Sequence, residues 1–168
     1  TQRIRTTTMV WGSGFIKVPL QMPRKDLNYL ALRGEVTKEL IYGHESPDVK
    51  MPLGDPGLLV SRYWPKATRR KYKIGVVPHY VDKRKFSWAD KVIDVAGEID
   101  DVVRDISSCS VIMSSSLHGI VVADSFGIPS MRLHHAEVIG GDFKWADYIS
   151  ARTRPLNEIQ EYLLKALP

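Results

Sequence analysis

Two histidines, each placed just after an apolar run, are the side chains best suited to proton transfer. His79 follows the run 72–77, and His118 comes shortly after the run 110–113. Imidazole changes its charge near neutral pH, so either ring can act as a general acid or base. If the two runs are neighbouring parallel strands, both histidines reach the same edge of a sheet. The alternatives are a loop histidine on a proline turn for His79, and a packed side chain for His118.

Small hydroxyl residues lie between the second apolar run and His118. Ser114, Ser115 and Ser116 lead into the start of a predicted helix that contains Gly119 in its first turn. The free N–H groups and the positive dipole end of a helix favour an anion at that point. The pattern therefore predicts an anion-binding turn, with simple N-terminal capping by the serines as the alternative.

Arg33 and Asp55 are further candidates in the first third of the chain. Arg33 directly follows the apolar run 28–32, and its guanidinium suits a two-pronged grip on carboxylate or phosphate. Asp55 lies beside Gly54, which permits close backbone approach, and its carboxylate can bind a hydroxyl or orient a base. A surface ion pair and a plain tight turn are the respective alternatives.

The elements that must hold these residues follow from the apolar patterns. Strands are predicted over 6–11, 28–32, 72–77, 91–95, 110–113 and 128–133, and helices over 35–42, 98–109, 117–126 and from 155 onward. The alternation after residue 72 predicts an α/β fold, a Rossmann-like parallel sheet with helices on both faces. We expect residues 1–65 to form an N-terminal segment or connector, and residues 66–168 to form the Rossmann-like domain.

Composition narrows the class of protein. Of 168 residues, 43% are hydrophobic and 26% are charged, which is typical of a globular protein rather than a disordered one. No apolar run is long enough to span a bilayer, and the first residues do not have the pattern of a signal peptide. The abrupt start suggests an excised piece of a longer chain. The single Cys109 cannot form an internal disulfide, and we expect a buried, unreactive thiol there.

Metal-binding spacings do not occur, so no metal is expected. The net charge of +5 is concentrated in the basic segments 66–73 and 83–85. Such segments favour anionic partners, but without interleaved aromatic residues they do not indicate nucleic acid. They are interpreted either as solvated loops or as a polyanion-binding surface.

The order of the short motifs is more specific than any one of them. Together they resemble the polysaccharide pyruvyl transferase family, closest to the subgroup that acts in succinoglycan-type exopolysaccharide synthesis, through the segments Trp11–Gly14, Leu32–Gly34, Gly54–Gly57, Pro78–Tyr80, Ser115–Gly119 and Ala123–Pro129. The resemblance covers the chain from residue 10 to about residue 129.

The resemblance implies the C-terminal lobe of a GT-B-type transferase, with the N-terminal lobe of the full enzyme absent. It implies a bacterial, cytoplasmic enzyme that transfers pyruvate from phosphoenolpyruvate to a sugar or a lipid-linked oligosaccharide, forming a ketal. Peripheral association with the inner face of the membrane is compatible with this role. Neither a cofactor nor a metal is expected.

The residue patterns and the reaction that the resemblance implies together give a hypothesis for the site roles. The donor phosphate is expected over Ser114–Ser116, and Arg33 is expected to hold an anionic group of the donor. His118 is the first candidate acid or base and His79 the second, with Asp55 orienting one of them or the acceptor. Many relatives have arginine where this chain has Ser116, so Arg33 or Arg132 would have to compensate. The alternative functions are a nucleotide-sugar-dependent GT-B glycosyltransferase and a non-catalytic polyanion-binding module.

Overall fold

A computed structural model describes residues 8–21, 23–24 and 26–167 of the chain. They form two compact units, one from the described parts of 1–56 and 140–168, and one from 57–139. We call them unit 1 and unit 2. The expected boundary between residues 65 and 66 remains a prediction, because a compact unit is not by itself an independently folding domain.

The strands and helices of both units are numbered in chain order. The strands are β1 Met9–Ser13, β2 Asn28–Leu32, β3 Tyr72–Val77, β4 Lys91–Val92, β5 Cys109–Ser114 and β6 Ser130–Arg132. The helices are α1 Glu35–Tyr42, α2 Val60–Tyr63, α3 Ile99–Ser107, α4 Leu117–Ser125, α5 Phe143–Ser150 and α6 Leu156–Lys165, with short 3₁₀ turns over Gly43–Asp48 and Pro56–Leu59.

Most of the predicted elements are present. The predicted bounds of β2, α1 and β3 coincide with the observed ones, and the other predicted strands and helices are recovered with shorter or shifted ends. Residues 6 and 7 of the first predicted strand lie outside the described residues. Helix α5 was not predicted from the sequence, and neither was α2.

Unit 1 is built on parallel strands covered by helices. Strands β1 and β2 pair in parallel, and Leu53 forms a further parallel bridge to Leu32. The indole N–H of Trp11 donates to the carbonyl of Leu163 on α6 at 3.0 Å, which ties β1 to that helix. The buried apolar residues of the unit come from β2, from the three helices and from the end of α5, and include Ala31, Leu32, Ile41, Trp145, Tyr148, the C-cap residue Ala151, Ile159 and Leu163.

Unit 2 contains a four-stranded sheet in the order β4-β3-β5-β6, and every pairing is parallel. Helices α3 and α4 pack on it. Its core comprises Val77, Ile93, Val103, Ile106, Cys109, Ile112, Ala123, Phe126 and Ile128. The α/β class with parallel sheets flanked by helices, predicted from the alternation of elements, is therefore confirmed.

Cys109 is the first residue of β5 and is completely buried in this core. Burial, followed by the nearby Asp105 carboxylate, raises the pKa of the thiol to about 11. The thiol donates to the carbonyl of Asp105 at 3.2 Å. The expected burial of the cysteine is therefore confirmed. Because the thiolate is the reactive form, a raised pKa favours an unreactive thiol, which stays a prediction.

None of the helices in the described residues has the length and apolar character needed to cross a bilayer.

Candidate functional site

In unit 2, the histidine and serine motifs meet at the carboxyl edge of the sheet. Strands β3 and β5 are parallel neighbours, with Val77 opposite Ser114. Just beyond these strand ends, the backbone N–H of His79 donates to the Ser115 hydroxyl at 2.9 Å. The condition set by the sequence analysis, that the two strands be parallel neighbours, is therefore fulfilled.

The serine turn is tightly integrated into the protein. The Ser114 hydroxyl lies 2.6 Å from the carbonyl of Val77 and 2.7 Å from that of Ser116, and it accepts the N–H of Ser116 at 3.0 Å. Ser114 and Ser115 are both buried. Ser116 is the N-cap residue of α4, but its side chain makes no capping hydrogen bond. Two of the three serine hydroxyls thus shape the turn, while Ser116 remains the more accessible one.

Asp82 was not singled out from the sequence, yet it connects several residues at this edge. Its fully buried carboxylate accepts the Ser115 hydroxyl at 2.7 Å and the Arg84 guanidinium at 2.7 and 2.8 Å. His135 Nε2 lies 3.5 Å from the same carboxylate. The hydrogen bonds from Arg84, and then from Ser115, hold the pKa of Asp82 well below its ordinary range despite burial. A carboxylate that is ionised at neutral pH therefore fixes the loop that follows β3.

His118 and Arg132 lie at the same carboxyl edge. His118 is exposed in the first turn of α4, and Arg132 is the last residue of β6, opposite Ser114 in the sheet register. The next residue along the helix, Gly119, allows the helix to approach the sheet closely. A Cβ atom there would lie 2.3 Å from the Ser114 hydroxyl oxygen and 2.9 Å from Val77. Gly119 therefore has a packing reason to be glycine, beside its predicted contact with substrate.

In unit 1, Arg33 and Asp55 also follow the ends of parallel segments. The N–H of Arg33 donates to the carbonyl of Ser13 at the end of β1, at 3.1 Å. The N–H of Gly54 donates to the carbonyl of Leu32 at the end of β2, at 2.8 Å. The candidates Arg33 and Asp55 therefore share the carboxyl edge of this smaller sheet, and both are buried.

The guanidinium of Arg33 is held by a carboxylate that the sequence analysis did not identify. Arg33 Nε lies 2.9 Å from Asp147 Oδ2 on α5, and Arg33 Nη2 donates to the carbonyl of Phe15. Asp147 also accepts the N–H of Thr37 at 2.7 Å and its hydroxyl at 2.8 Å. The carboxylate of Asp147 therefore has two roles. It lies at the positive N-terminal end of α1, and it fixes the orientation of Arg33.

The two glycines next to this network leave room for it. A Cβ atom on Gly14 would lie 2.5 Å from Asp147 and 2.7 Å from the Arg33 guanidinium. A Cβ atom on Gly34 would lie 1.8 Å from the backbone oxygen of Asp147. The glycines of the first two motifs thus surround the Arg33–Asp147 pair. Within the described residues Arg33 Nη1 has no hydrogen-bond partner, and because no buried nitrogen lacks one, that amino group is open to solvent.

The candidate residues therefore form two groups. Arg33 and Asp55 belong to unit 1, and the remaining candidates, His79, His118, Ser114–Ser116, Gly119 and Arg132, belong to unit 2. No group of three or more metal-binding side chains occurs in the part of the chain that the structure describes. The assigned roles of these residues in binding and catalysis remain predictions.

The basic segments are only partly solvated. The ammonium group of Lys66 donates to the carbonyl of Phe126 at 2.7 Å, and Arg70 donates to the carbonyls of Ser107 and Cys109 at 2.8 and 2.7 Å. Arg84 is held by Asp82, as described above. Several cations of the two segments thus stabilise loops around the unit 2 sheet, in addition to any attraction for anions.

The chain is similar to proteins of a known family. The family described as "Polysaccharide pyruvyl transferase" matches residues 1–135 of the chain. The chain is 30% identical over 155 residues to the succinoglycan biosynthesis protein ExoV of Rhizobium meliloti (strain 1021), covering 85% of this chain and 47% of that protein. It is 35% identical over 132 residues to the uncharacterized protein L143 of Acanthamoeba polyphaga mimivirus, covering 71% of this chain and 46% of that protein. The chain thus spans about half the length of these relatives. No solved structure matches it significantly.

Proposed function

Because the chain belongs to the polysaccharide pyruvyl transferase family, we propose that it takes part in transferring pyruvate from phosphoenolpyruvate to a sugar of an exopolysaccharide precursor. The product is a pyruvate ketal that bridges two hydroxyl groups of the sugar. The observation that supports this best is the carboxyl edge of unit 2, where an exposed His118 begins a helix behind the serine turn.

The reaction requires one proton to be delivered and two hydroxyl groups to be activated. A proton is added to the methylene carbon of phosphoenolpyruvate, and positive charge develops at C2. One sugar oxygen bonds to C2, the bond from C2 to the phosphate oxygen breaks, and the second sugar oxygen bonds to C2. Of the two hydroxyl protons, one replaces the proton that was delivered and the other leaves with inorganic phosphate.

Within this scheme His118 is the acid or base, because it is exposed at the sheet edge where open α/β proteins bind ligands. His79 is the second candidate, held beside the serine turn by its backbone N–H. The start of α4 at Ser116, together with Ser114, Ser115 and Gly119, attracts the donor phosphate through the helix dipole.

Arginines supply the remaining positive charge for the donor. Arg33 offers the amino group Nη1 to an anionic group of the donor, while Asp147 holds the rest of the guanidinium in place. Arg132, at the end of β6, is the second arginine proposed to bind the donor. Asp55 is proposed to orient the acceptor hydroxyl or a catalytic histidine. The acceptor is proposed to be a sugar or a lipid-linked oligosaccharide at the inner face of a membrane.

The test replaces His118 with glutamine, which keeps a polar side chain but cannot transfer a proton at neutral pH. Loss of one acid–base group costs about 10²–10⁴-fold in rate. We therefore expect phosphate release from phosphoenolpyruvate, measured in the full-length protein with acceptor, to fall by about that factor in His118→Gln. The matched control, His134→Gln, changes another exposed histidine of unit 2 and is expected to retain activity.

Turnover by His118→Gln at the wild-type rate would contradict the assignment of His118. Calorimetric titration separates the functions themselves. Binding of phosphoenolpyruvate that is lost in Arg33→Ala supports the proposed donor site. Binding of a nucleotide sugar without binding of phosphoenolpyruvate would instead indicate a glycosyltransferase.

A further inference from the structure

Unit 1 contains a cleft whose lining includes none of the residues assigned above to the donor or to proton transfer. Its volume is about 970 Å³. It is lined by α1, the 3₁₀ turn Gly43–Asp48, the segment 49–53, the loop after α5, and α6. Neither Arg33 nor Asp55 is among its lining residues. The volume lies at the upper end of the range of roughly 300–1,000 Å³ found for small-molecule sites, so a ligand as small as phosphoenolpyruvate would not fill it.

Two polar side chains with very little exposure line this cleft. Ser46 is 4% exposed and Lys38 is 7% exposed. The ammonium group of Lys38 is paired with Glu35 at 2.9 Å. The Ser46 hydroxyl finds no hydrogen-bond partner in the described residues, and no buried side-chain oxygen there lacks one, so this hydroxyl is open to solvent in the cleft. A sheltered hydroxyl without a protein partner favours a hydrogen-bonding ligand.

The cleft also carries an aromatic ring with a positively charged neighbour. Tyr162 is 44% exposed and lines the cleft. The Arg154 guanidinium lies 5.2 Å from the centre of its ring, and Arg154 Nη1 lies 3.5 Å from its hydroxyl oxygen. Apolar side chains of Leu53 and Ile159 line the cleft as well. A ring next to polar groups provides a surface for the flat, apolar face of a sugar.

The charges of the lining give a positive excess. Lys38, Lys50 and Arg154 line the cleft together with the carboxylates of Glu35 and Glu39. Since Lys38 is paired with Glu35, the lining has two further cations, Lys50 and Arg154, and one further carboxylate, that of Glu39. An anionic group is therefore attracted to this cleft more strongly than a neutral one.

We propose that this cleft binds an acidic saccharide, a sugar segment of more than one ring that bears a carboxylate or phosphate group. The choice of a saccharide rests on the proposed function, while the size, the open Ser46 hydroxyl and the positive excess come from unit 1 itself. One ring of the saccharide lies near Tyr162, its hydroxyl groups bind Ser46 and Glu39, and its acidic group lies near Lys50 and Arg154. The cleft thereby holds part of the polymer while another part is modified.

The test is a nuclear magnetic resonance titration of the 168-residue chain with a disaccharide of glucuronic acid and glucose. Cellobiose serves as the neutral counterpart. We expect saturable shifts of amide signals within residues 35–53 and 151–162. The double variant Lys50→Ala/Arg154→Ala is expected to weaken binding of the acidic disaccharide about tenfold, the loss associated with a charge-assisted hydrogen bond, and to leave cellobiose unaffected.

Tyr162→Ala is expected to weaken binding of both disaccharides, and Ser46→Ala to weaken it less. The matched control for the tyrosine is Tyr63→Ala, an exposed tyrosine of unit 2 that does not line the cleft. Absence of saturable shifts in the folded chain would overturn the proposal, as would binding that all the cleft variants leave unchanged. Equal affinity for cellobiose would overturn the requirement for an acidic group.

A parallel titration with phosphoenolpyruvate keeps this proposal separate from the proposed function. Shifts around residues 33, 79 and 118 report the donor. Saccharide binding without donor binding supports the cleft and contradicts the donor site. Donor binding without saccharide binding supports the donor site and contradicts the proposal for the cleft.

Discussion

Arg33 shows what it takes to keep a charged side chain buried and still oriented. Its partner Asp147 is completely buried and also accepts two hydrogen bonds from Thr37. Removing both ions from water costs several kcal/mol, which is recovered only when the geometry is good and the remaining oxygen atoms are satisfied. The network meets that condition, so Arg33 is held in one orientation with one amino group open.

Replacing Asp147 by asparagine tests this arrangement. The amide oxygen can still accept the N–H of Thr37, but the positive charge of Arg33 loses its counterion. Breaking a buried ion pair costs about 3 kcal/mol or more. We therefore expect the free energy of unfolding, measured with urea, to fall by about 3 kcal/mol in Asp147→Asn. The exposed Asp48→Asn is the control and should remain close to the original value.

A second readout distinguishes a positioning role from a purely structural one. At temperatures where Asp147→Asn is fully folded, we expect affinity for phosphoenolpyruvate to fall as well. Unchanged donor affinity in the folded variant would show that Asp147 stabilises unit 1 without orienting Arg33 for binding.

At the scale of single elements, helix α4 depends on its close approach to the sheet. The helix carries His118 on its exposed side, and Gly119 faces Val77 and the Ser114 hydroxyl. The position of the candidate acid or base is therefore fixed by contacts of the next residue. A shift of α4 away from the sheet would move His118 together with the serine turn.

Gly119→Ala measures this contact. Alanine favours a helix by about 1 kcal/mol over glycine. Its Cβ would nevertheless lie 2.3 Å from the Ser114 hydroxyl oxygen and 2.9 Å from Val77, so α4 must shift. Overpacking typically costs about 1–3 kcal/mol, and we expect a net loss of about 1–2 kcal/mol in urea unfolding. At Gly97 a Cβ atom would lie 3.3 Å from its nearest neighbouring atom, so Gly97→Ala should lower the free energy of unfolding less than Gly119→Ala does. A stabilised Gly119→Ala would contradict the packing argument.

The elements differ in how far the sequence could predict them, and the reason is the burial of polar side chains. Strand β3 was predictable because its apolar run is bounded by basic residues and a proline. Helix α5 was not, because Lys144 and Asp147 are buried there and interrupt the apolar stripe on which a helix prediction depends. The carboxyl-edge position of His79 followed from the predicted parallel strands, whereas for Arg33 the sequence predicted only a position directly after a strand. The partner of Arg33 was not predicted, because Asp147 is 114 residues away in the chain.

At the scale of the whole molecule, each unit has its own buried core. The core of unit 2 is continuous in sequence, whereas that of unit 1 combines residues near both ends of the chain. Leu163 on α6 is completely buried, and its carbonyl accepts the indole N–H of Trp11. The last helix is thus part of the same core as the first strands.

A pair of core substitutions tests this division. Leu163→Ala should cost about 3 kcal/mol through lost burial and a cavity. We expect hydrogen exchange to become faster in β1, β2 and α1, about 120–155 residues earlier in the chain, and to change little in β3 and β5. Ile112→Ala, in the fully buried centre of β5, is the matched variant and should give the reverse pattern. Equal acceleration in both units would show that they unfold together.

The pairing of Arg33 with Asp147 also restricts which substitutions these two positions can accept during evolution. The family match ends at residue 135, so one partner lies inside the matched region and the other beyond it. Loss of either charge alone would leave the other charge buried in unit 1 without its counterion. Substitutions at the two positions are therefore expected to be inherited together, and orthologues that keep the arginine should keep an acidic residue on the corresponding helix. Covariation across that boundary would extend the motif around Arg33 into a part of the chain beyond the family match.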